Sequence, residues 1–394
     1  MPQWLDQTKQ EDSTVHIVAD ENIPLIEQFF GEFGEITRLP GRSMKASDLS
    51  NADILLVRSV TEVDASLLAG TPVKFVGTAT IGTDHIDTEY LDSKGIGFAS
   101  APGCNAQAVV DYVLSALSVI VDSRGIEFAD LSVGIVGVGN VGLLLRQRLE
   151  QMGMTVKATD PFKDEEDVGE LTSLDDVLSC DVVSLHTPLE RGGEHPTWHL
   201  INEARLKQMA PDACLLNACR GAVVDNAALS AHLKQAPDFV AILDVWENEP
   251  ELDLDLMELC SLATPHIAGY SLDGKMKGTE LIYQAACGYF GLPVRLKLGQ
   301  FLPEPGIRRV DFSAEVPIHQ ALRTAIRASY EIRVDDGVMR SVMRRSQNLR
   351  ESFDRMRKDY PLRRDTINLR VGVPSRAHDL QDVLEATGFD VRSK

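Results

Sequence analysis

These 394 residues contain no run of 18 apolar residues, so no membrane-spanning segment is expected. The first fourteen residues carry Asp6, Lys9, Glu11 and Asp12 and lack the apolar stretch of a secretory signal. A flexible leader on a cytoplasmic chain is the expectation. Cysteines are scattered at 104, 180, 214, 219, 260 and 287, with no C-x-x-C pair. No His/Cys spacing resembles a zinc site. Buried free thiols in a reducing compartment, without metal, are therefore expected. Positive charge is in deficit, 39 Lys+Arg against 59 Asp+Glu, and the net −20 argues against nucleic-acid binding. The deficit is uneven. Residues 301–394 carry 18 Lys+Arg against 14 Asp+Glu, and Pro303-Glu-Pro305-Gly306 punctuates the start of that stretch. A separate C-terminal module is expected there.

The most informative segment present is Val133-Gly134-Ile135-Val136-Gly137-Val138-Gly139-Asn140-Val141-Gly142, with Asp160 closing the next apolar stretch. It reads as a buried strand, a G-x-G-x-x-G turn and a helix start. Gly137 permits the tight turn, Gly139 lets the backbone approach a pyrophosphate, and Gly142 lets helix and strand pack closely. The free N–H groups and dipole of the helix start favour the pyrophosphate's charge. Asp160 accepts ribose hydroxyls and repels a 2′-phosphate, which favours NAD over NADP.

Short apolar strands alternate with helical stretches along most of the chain, which predicts mostly parallel sheets. Strands are expected at 15–19, 54–57, 75–77, 97–100, 182–185, 214–217 and 240–244, and helices at 24–33, 65–69 and 275–289. Residues 105–121, with Asn105 as N-cap, are apolar nearly all round and predict a buried helix, here between two domains. The C-terminal module reads as strand, helix (318–328), basic helix (341–358), strand (367–373) and helix (377–386). The fold class is α/β: two Rossmann-like doubly wound domains plus a C-terminal α/β module. The boundaries read as 15–104 with 271–300, then 105–270, then 301–394.

Three segments follow strands of the dinucleotide domain: Asn217-Ala-Cys-Arg220-Gly221, Asp244-Val-Trp-Glu247-Asn-Glu249-Pro250 and Thr264-Pro-His266-Ile-Ala-Gly269-Tyr270. Ligands of open α/β sheets bind beyond the carboxyl ends of strands. Oxidising an alcohol next to a carboxylate needs a group to hold the carboxylate, which suits the planar fork of Arg220. It needs a base near neutral pH, which suits His266. A carboxylate beside that histidine orients it and stabilises its charged form, a role for Glu249.

With these motifs the chain resembles the D-isomer-specific 2-hydroxyacid dehydrogenases. Further marks are Val57-Arg58-Ser59-Val60-Thr61, Gly82-Thr-Asp84-His-Ile-Asp87, Ala101-Pro-Gly-Cys-Asn-Ala106 and His186-Thr-Pro-Leu. The resemblance runs from about Val15 to the C-terminus. It implies catalysis by Arg220, Glu249 and His266, and NAD contacts from Asp160, Thr187, Asp244, Gly269 and the Gly139-Asn140-Val141 turn. It implies substrate contacts from Ser59, Thr80 and Tyr270. Arg58 either adds charge there or closes a structural ion pair. The implied substrate is a small phosphorylated 2-hydroxy acid, held in a cleft between the two α/β domains.

The resemblance also implies a homodimer through the C-terminal module, with no nucleic-acid or membrane partner. The charge asymmetry adds the expectation that Arg344, Arg345, Arg355 and Arg357 face the acidic body of the partner subunit. Two rival readings stand beside this one. A differently specific family enzyme, such as a 3-phosphoglycerate dehydrogenase, is opposed by the C-terminal module and by the Ile-Ala-Gly-Tyr run after His266. An NAD(H)-sensing co-repressor scaffold is opposed by the lack of an interaction tail.

Overall fold

The computed structural model describes residues 14–393, so the expected leader lies outside the described residues. The chain divides into two compact units, residues 1–105 with 272–303 and residues 106–271 with 304–394. The first unit holds β1 (Val15–Asp20), β2 (Gly34–Leu39), β3 (Ile54–Val57), β4 (Phe75–Thr78) and β5 (Gly97–Ala99). They form one parallel sheet in the order β2-β1-β3-β4-β5. Alternate residues along a strand face opposite sides, and the apolar strands here feed two cores. Ile17, Ala19, Ile54, Leu56 and Phe75 pack with Ile282, Tyr283, Ala286 and Phe290 of the helix Leu272–Phe290. Val18, Leu55, Val57 and Val76 pack on the other side with Leu67, Leu68 and Leu91. The strand β2 was missed in the sequence because only half of its residues are apolar and it lies at the sheet edge.

The second unit contains β6 (Ser132–Val136), β7 (Thr155–Thr159), β8 (Val182–Leu185), β9 (Cys214–Asn217), β10 (Val240–Leu243) and β11 (Leu262–Ala263). Their order is β11-β10-β9-β8-β6-β7, all parallel. The chain runs outward from β6 to β7 and then crosses back to β8. The carboxyl end of β6 thus lies at the switch in strand order where open α/β sheets bind ligands. The helix Ala106–Arg124 is long and apolar enough to cross a membrane, but 78% of that stretch is buried inside the protein, so it is a core helix. Asn105 precedes it as expected, yet its buried Oδ1 has no hydrogen-bond partner. The side-chain cap is not made.

Residues 304–394 carry a third parallel sheet, β12 (Arg309–Asp311), β13 (Arg370–Val373) and β14 (Asp390–Ser393), in the order β12-β13-β14. The single basic helix expected over 341–358 is two helices, Ile332–Met343 and Leu349–Lys358. Asn348 caps the second by accepting from the Glu351 N–H, and a capping side chain of this kind marks a new helix start. Ala321, Leu322, Ala325, Ile326, Val371 and Leu384 share one apolar core with Val109, Val113, Leu117, Val133 and Ile135. Met339, Met343 and Phe353 join the core on the other face of the six-stranded sheet.

Polar bonds join the same parts. Ser115 Oγ donates to the Tyr330 carbonyl at 3.0 Å and accepts from the Ile332 N–H at 3.1 Å. Asp111 accepts from the Thr366 N–H at 2.9 Å. Arg363 lies 3.7 Å over the Tyr330 ring and donates to the carbonyls of Ala108 and Ala268. The basic side chains of the segment also find acids within the chain. Arg344 pairs with Glu258, Arg350 with Glu251, and Arg323 with Asp122. Arg344 thus meets an acid of its own chain.

A chain ending at Pro303 loses these contacts and uncovers the Ala106–Arg124 helix. It is expected to be insoluble, or to melt well below the full chain, since exposed apolar patches of this size drive aggregation. Solubility and thermal melting check this. A soluble truncated chain with the full melting temperature would show that residues 304–394 do not support the second unit.

Candidate active site

The G-x-G-x-x-G turn follows β6 directly. Gly137 adopts φ +92°, a left-handed conformation that only glycine takes readily, and a Cβ there would meet the His186 carbonyl oxygen at 2.6 Å. A Cβ on Gly142 would meet the Gly137 carbonyl oxygen at 2.0 Å, so helix and turn pack as closely as the sequence demands. Space around Gly139 is open to 4 Å. Gly139 is the N-cap of the helix Asn140–Gln151 and supplies no side-chain cap, which leaves the first N–H groups available to an anion. Asp160, just beyond β7, accepts from the Val138 N–H at 2.8 Å and the Phe162 N–H at 3.0 Å. These bonds fix its carboxylate beside the turn. The arrangement fits a dinucleotide.

Next along the same sheet edge, beyond β8, lie His186 and Thr187. Burial pushes the His186 imidazole down to about 4, so it is neutral, and it pairs with Ser184 Oγ at 2.8 Å. Thr187 Oγ1 lies 4.0 Å from Cys219 Sγ. None of the six cysteines is paired in a disulfide. Burial pushes the Cys214 thiol up to about 12 and the Cys219 thiol upward, which makes both poor nucleophiles.

Beyond β9, the buried Asn217 shapes the turn that presents Arg220. Its Nδ2 donates to the Arg220 carbonyl at 2.9 Å and its Oδ1 accepts from the Cys219 N–H at 3.1 Å. The next residue, Gly221, approaches the following loop so closely that a Cβ would lie 2.0 Å from the Trp246 carbonyl group. That approach sets the Arg220 turn against the loop that carries Glu249.

The loops after β10 and β11 are locked together. Glu249 Oε1 lies 2.5 Å from His266 Nδ1, and its Oε2 accepts from the Trp246 N–H at 3.2 Å. The Trp246 indole N–H donates to the Thr264 carbonyl at 3.0 Å. His266 has φ +57°, an uncommon conformation for a residue with a side chain. Asp244 imposes it. The Asp244 carbonyl accepts from the His266 N–H at 2.7 Å. Its carboxylate accepts from the Ile267 and Ala268 N–H groups and the Thr264 hydroxyl at 2.8, 2.9 and 2.6 Å. With the Thr264 proton spent on Asp244, the Tyr112 hydroxyl must donate to Thr264, at 2.8 Å.

Burial would push the Glu249 carboxyl up, but the His266 charge, the hydrogen bond to His266 and the Arg357 charge outweigh it and hold the group below its ordinary value. Glu249 is therefore ionised. A carboxylate only accepts, so His266 donates from Nδ1 and a neutral His266 keeps its lone pair on Nε2. Such an imidazole can take a proton at Nε2 and hold the resulting charge against Glu249.

The sequence-derived residues of the second unit thus lie along one edge: the Gly loop, Asp160, Thr187, Arg220, Asp244, Glu249, His266, Gly269 and Tyr270. In the first unit Ser59 is exposed beyond β3. Thr80, beyond β4, bonds to Thr78 Oγ1 at 2.7 Å and donates to the Gly82 carbonyl at 3.1 Å. Arg58 Nε donates to the buried Asp20 at 3.1 Å, which is the ion-pair alternative. Three supporting elements had no signal in the sequence, because each is made by residues far apart in the chain. One is the close approach at Gly221, one is the Tyr112–Thr264–Asp244 series, and one is His199, whose Nε2 lies 2.6 Å from Glu247. His199, Asp225 and Glu247 bring three potential metal-ligand atoms within 4.8 Å of one another, but His199 and Glu247 already satisfy each other by hydrogen bonding.

Residues 119–268 match the family described as D-isomer specific 2-hydroxyacid dehydrogenase, NAD binding domain. Residues 301–388 match a domain family of unknown function. Among solved structures, the chain is similar to D-lactate dehydrogenase from Aquifex aeolicus complexed with NAD and lactic acid (TM-score 0.59, 24% identity, 70% of this chain and 95% of that one). It is also similar to NAD⁺-bound 3-phosphoglycerate dehydrogenase of Entamoeba histolytica (TM-score 0.61, 24% identity, 71% and 96%). At that identity the likeness shows the fold.

Two curated relatives are far closer. The erythronate-4-phosphate dehydrogenase of Marinobacter nauticus is 52% identical over 381 residues, 95% of this chain and 99% of its own. That of Hahella chejuensis is 50% identical over 379 residues, 96% and 100%. With half of the residues shared along nearly the full length of both chains, this protein belongs to the erythronate-4-phosphate dehydrogenase family, within the D-isomer-specific 2-hydroxyacid dehydrogenases.

Proposed function

We propose that the chain oxidises 4-phospho-D-erythronate to 2-oxo-3-hydroxy-4-phosphobutanoate with NAD⁺, a step that serves pyridoxal 5′-phosphate (vitamin B6) biosynthesis. The observation that carries this reading is the His266–Glu249 pair, with Nε2 left open on the sheet edge that presents the dinucleotide loop. The relatives' name specifies the substrate. NAD⁺ bound at the Gly139–Val141 turn, with its adenosine ribose on Asp160, supplies the hydride acceptor. Thr187, Asp244 and Gly269 complete that binding set. Arg220 holds the substrate carboxylate and the C2 oxygen with its planar fork. His266 Nε2 takes the C2 hydroxyl proton, and Glu249 stabilises the imidazolium that forms. Ser59, Thr80 and Tyr270 offer hydroxyl donors to the remaining oxygens, and Arg58 steadies its loop through Asp20.

We assign 15–104 with 271–300 to substrate binding, 105–270 to NAD and 301–394 to homodimer formation. Val334 and Val338, one turn apart on the helix Ile332–Met343, and Leu362 of the same C-terminal segment are exposed apolar side chains, which supports a self-association surface on the last segment. Six cysteines, none of them in a disulfide, suit a cytoplasmic location. The purified chain should form NADH with 4-phosphoerythronate and not with 3-phosphoglycerate. Turnover of 3-phosphoglycerate alone would favour the rival specificity.

Glu249→Gln removes the carboxylate that holds the ring through Nδ1 and stabilises the imidazolium formed when Nε2 takes the proton, so kcat should fall by about tenfold or more. Near-normal turnover would remove Glu249 from the mechanism. His266→Ala should lose turnover and keep NADH binding, measured by fluorescence.

Wild-type protein should prefer NAD over NADP by at least about tenfold in kcat/KM, as one unfavourable charge contact dictates. Asp160→Ala with Phe162→Arg should move the preference toward NADP. Equal use of both cofactors by the wild type would sink the role of Asp160. Arg220→Lys keeps the charge and loses the fork, so kcat/KM should fall roughly a hundredfold. Near-normal turnover would mean that another group holds the carboxylate.

A further inference from the structure

One charged side chain near the reacting loop belongs to the C-terminal segment. Arg357 lies on the helix Leu349–Lys358, with its guanidinium 5.5 Å from the centre of the Tyr270 ring and 6.0 Å from that of Phe353. It is half-buried, and its Nε is buried without a hydrogen-bond partner. The carboxylates within electrostatic reach are Glu249 and Asp244, and both have other partners. Glu249 is held by His266 and the Trp246 N–H. Asp244 is held by Thr264, Ile267 and Ala268. The side chain also hydrogen-bonds Tyr270, and these neighbours hold its charge in spite of desolvation; the Nε donor is left for an oxygen of an anionic ligand to accept.

We propose that Arg357 is a substrate-binding residue that recognises the phosphate of the phosphorylated hydroxy acid, so that residues 304–394 complete the active site of their own chain. This rests on the dehydrogenase reading above. Arg220 answers the carboxylate and His266 the C2 hydroxyl, which leaves the phosphate without a cation in the second unit. A planar guanidinium has several N–H donors and suits a phosphate better than a point charge does. Tyr270, whose hydroxyl oxygen accepts from Arg357, keeps its own O–H proton for the same ligand.

The test compares wild type, Arg357→Met and Arg357→Lys with 4-phosphoerythronate and with erythronate. For Arg357→Met the KM for 4-phosphoerythronate should rise by roughly thirtyfold or more, as for loss of a charge-assisted hydrogen bond. Any fall in kcat that comes from losing the Arg357 charge beside Glu249 should be shared by erythronate, while the rise in KM should be confined to 4-phosphoerythronate. Arg357→Lys should be intermediate. Melting temperature and NADH affinity report folding, and should Arg357→Met not fold, the lysine variant carries the test. An unchanged KM in the lysine variant would then overturn the proposal. An equal loss with both substrates without a rise in KM for 4-phosphoerythronate, or a shifted pH profile with KM unchanged, would overturn it in favour of a positioning role through Glu249.

Calorimetric titration of inorganic phosphate into the protein–NADH complex is independent of turnover. Wild type should bind phosphate, and either variant should bind it at least several-fold more weakly. Equal affinity, or none in the wild type, overturns the assignment. Failure of the wild type to oxidise either acid, with Arg357-dependent phosphate binding intact, would count against the dehydrogenase reading alone.

Discussion

The carboxylate of Asp244 holds the reacting loop in place. It sits at the carboxyl end of β10, 1% exposed, and takes two backbone N–H groups and one hydroxyl from the loop after β11. Without those bonds His266 would lose its main support for a left-handed conformation, which costs free energy for any residue with a Cβ. The histidine would relax, Nδ1 would leave Glu249, and the lone pair on Nε2 would no longer have a fixed direction. Asp244 therefore acts at a distance from the proton it governs. A carboxylate has lone pairs for more than three donors, so these bonds do not exhaust it.

The second constraint is coverage of the six-stranded sheet. Its edge strands and the Ala106–Arg124 helix present more apolar surface than residues 106–271 can cover, and residues 304–394 cover it. This explains the charge pattern better than an acidic partner does. A segment that must pack against a body rich in Asp and Glu has reason to be basic, and Arg323, Arg344 and Arg350 meet Asp122, Glu258 and Glu251 of the same chain. Exposed pairs of this kind contribute little each. The buried Arg363 is different, because it ties the Ala108 and Ala268 carbonyls to one side chain of the C-terminal segment. The loop that begins at His266 is therefore anchored from two sides, by Asp244 and by Arg363.

Much of this was legible from local pattern. Strands buried on both faces read as short apolar runs, and β1, β3, β8 and β9 were visible for that reason. The Gly137–Gly142 turn was visible because its chemistry is contiguous. Arg220, Glu249 and His266 were visible because each follows a strand, and the ends of parallel strands share an edge. What stayed hidden depends on contacts between distant residues. The helix Ile332–Met343 carries Asp335, Asp336 and Gly337 in its middle, and burial of Ile332, Met339 and Met343 overrides that weak local preference. Neither the contact of Gly221 with Trp246 nor the contact of Arg357 with Tyr270 has a sequence spacing that would reveal it.

These contacts bear on how a widely used fold acquires one substrate. The Gly loop, the His266–Glu249 pair and Arg220 all lie within residues 106–271, and the roles proposed for them answer only the features that 2-hydroxy acids have in common. Discrimination requires a group that meets the part of the substrate where those acids differ, and a site built to bond a particular polar group rejects analogues that lack it. A segment already needed to cover the sheet is a sound support for such a group. Its helices are held by core packing and by Arg363, so a side chain on Leu349–Lys358 keeps a defined position relative to Tyr270 without new rigid structure. On the proposal made for Arg357, the same residues serve stability through their apolar face and recognition through one arginine.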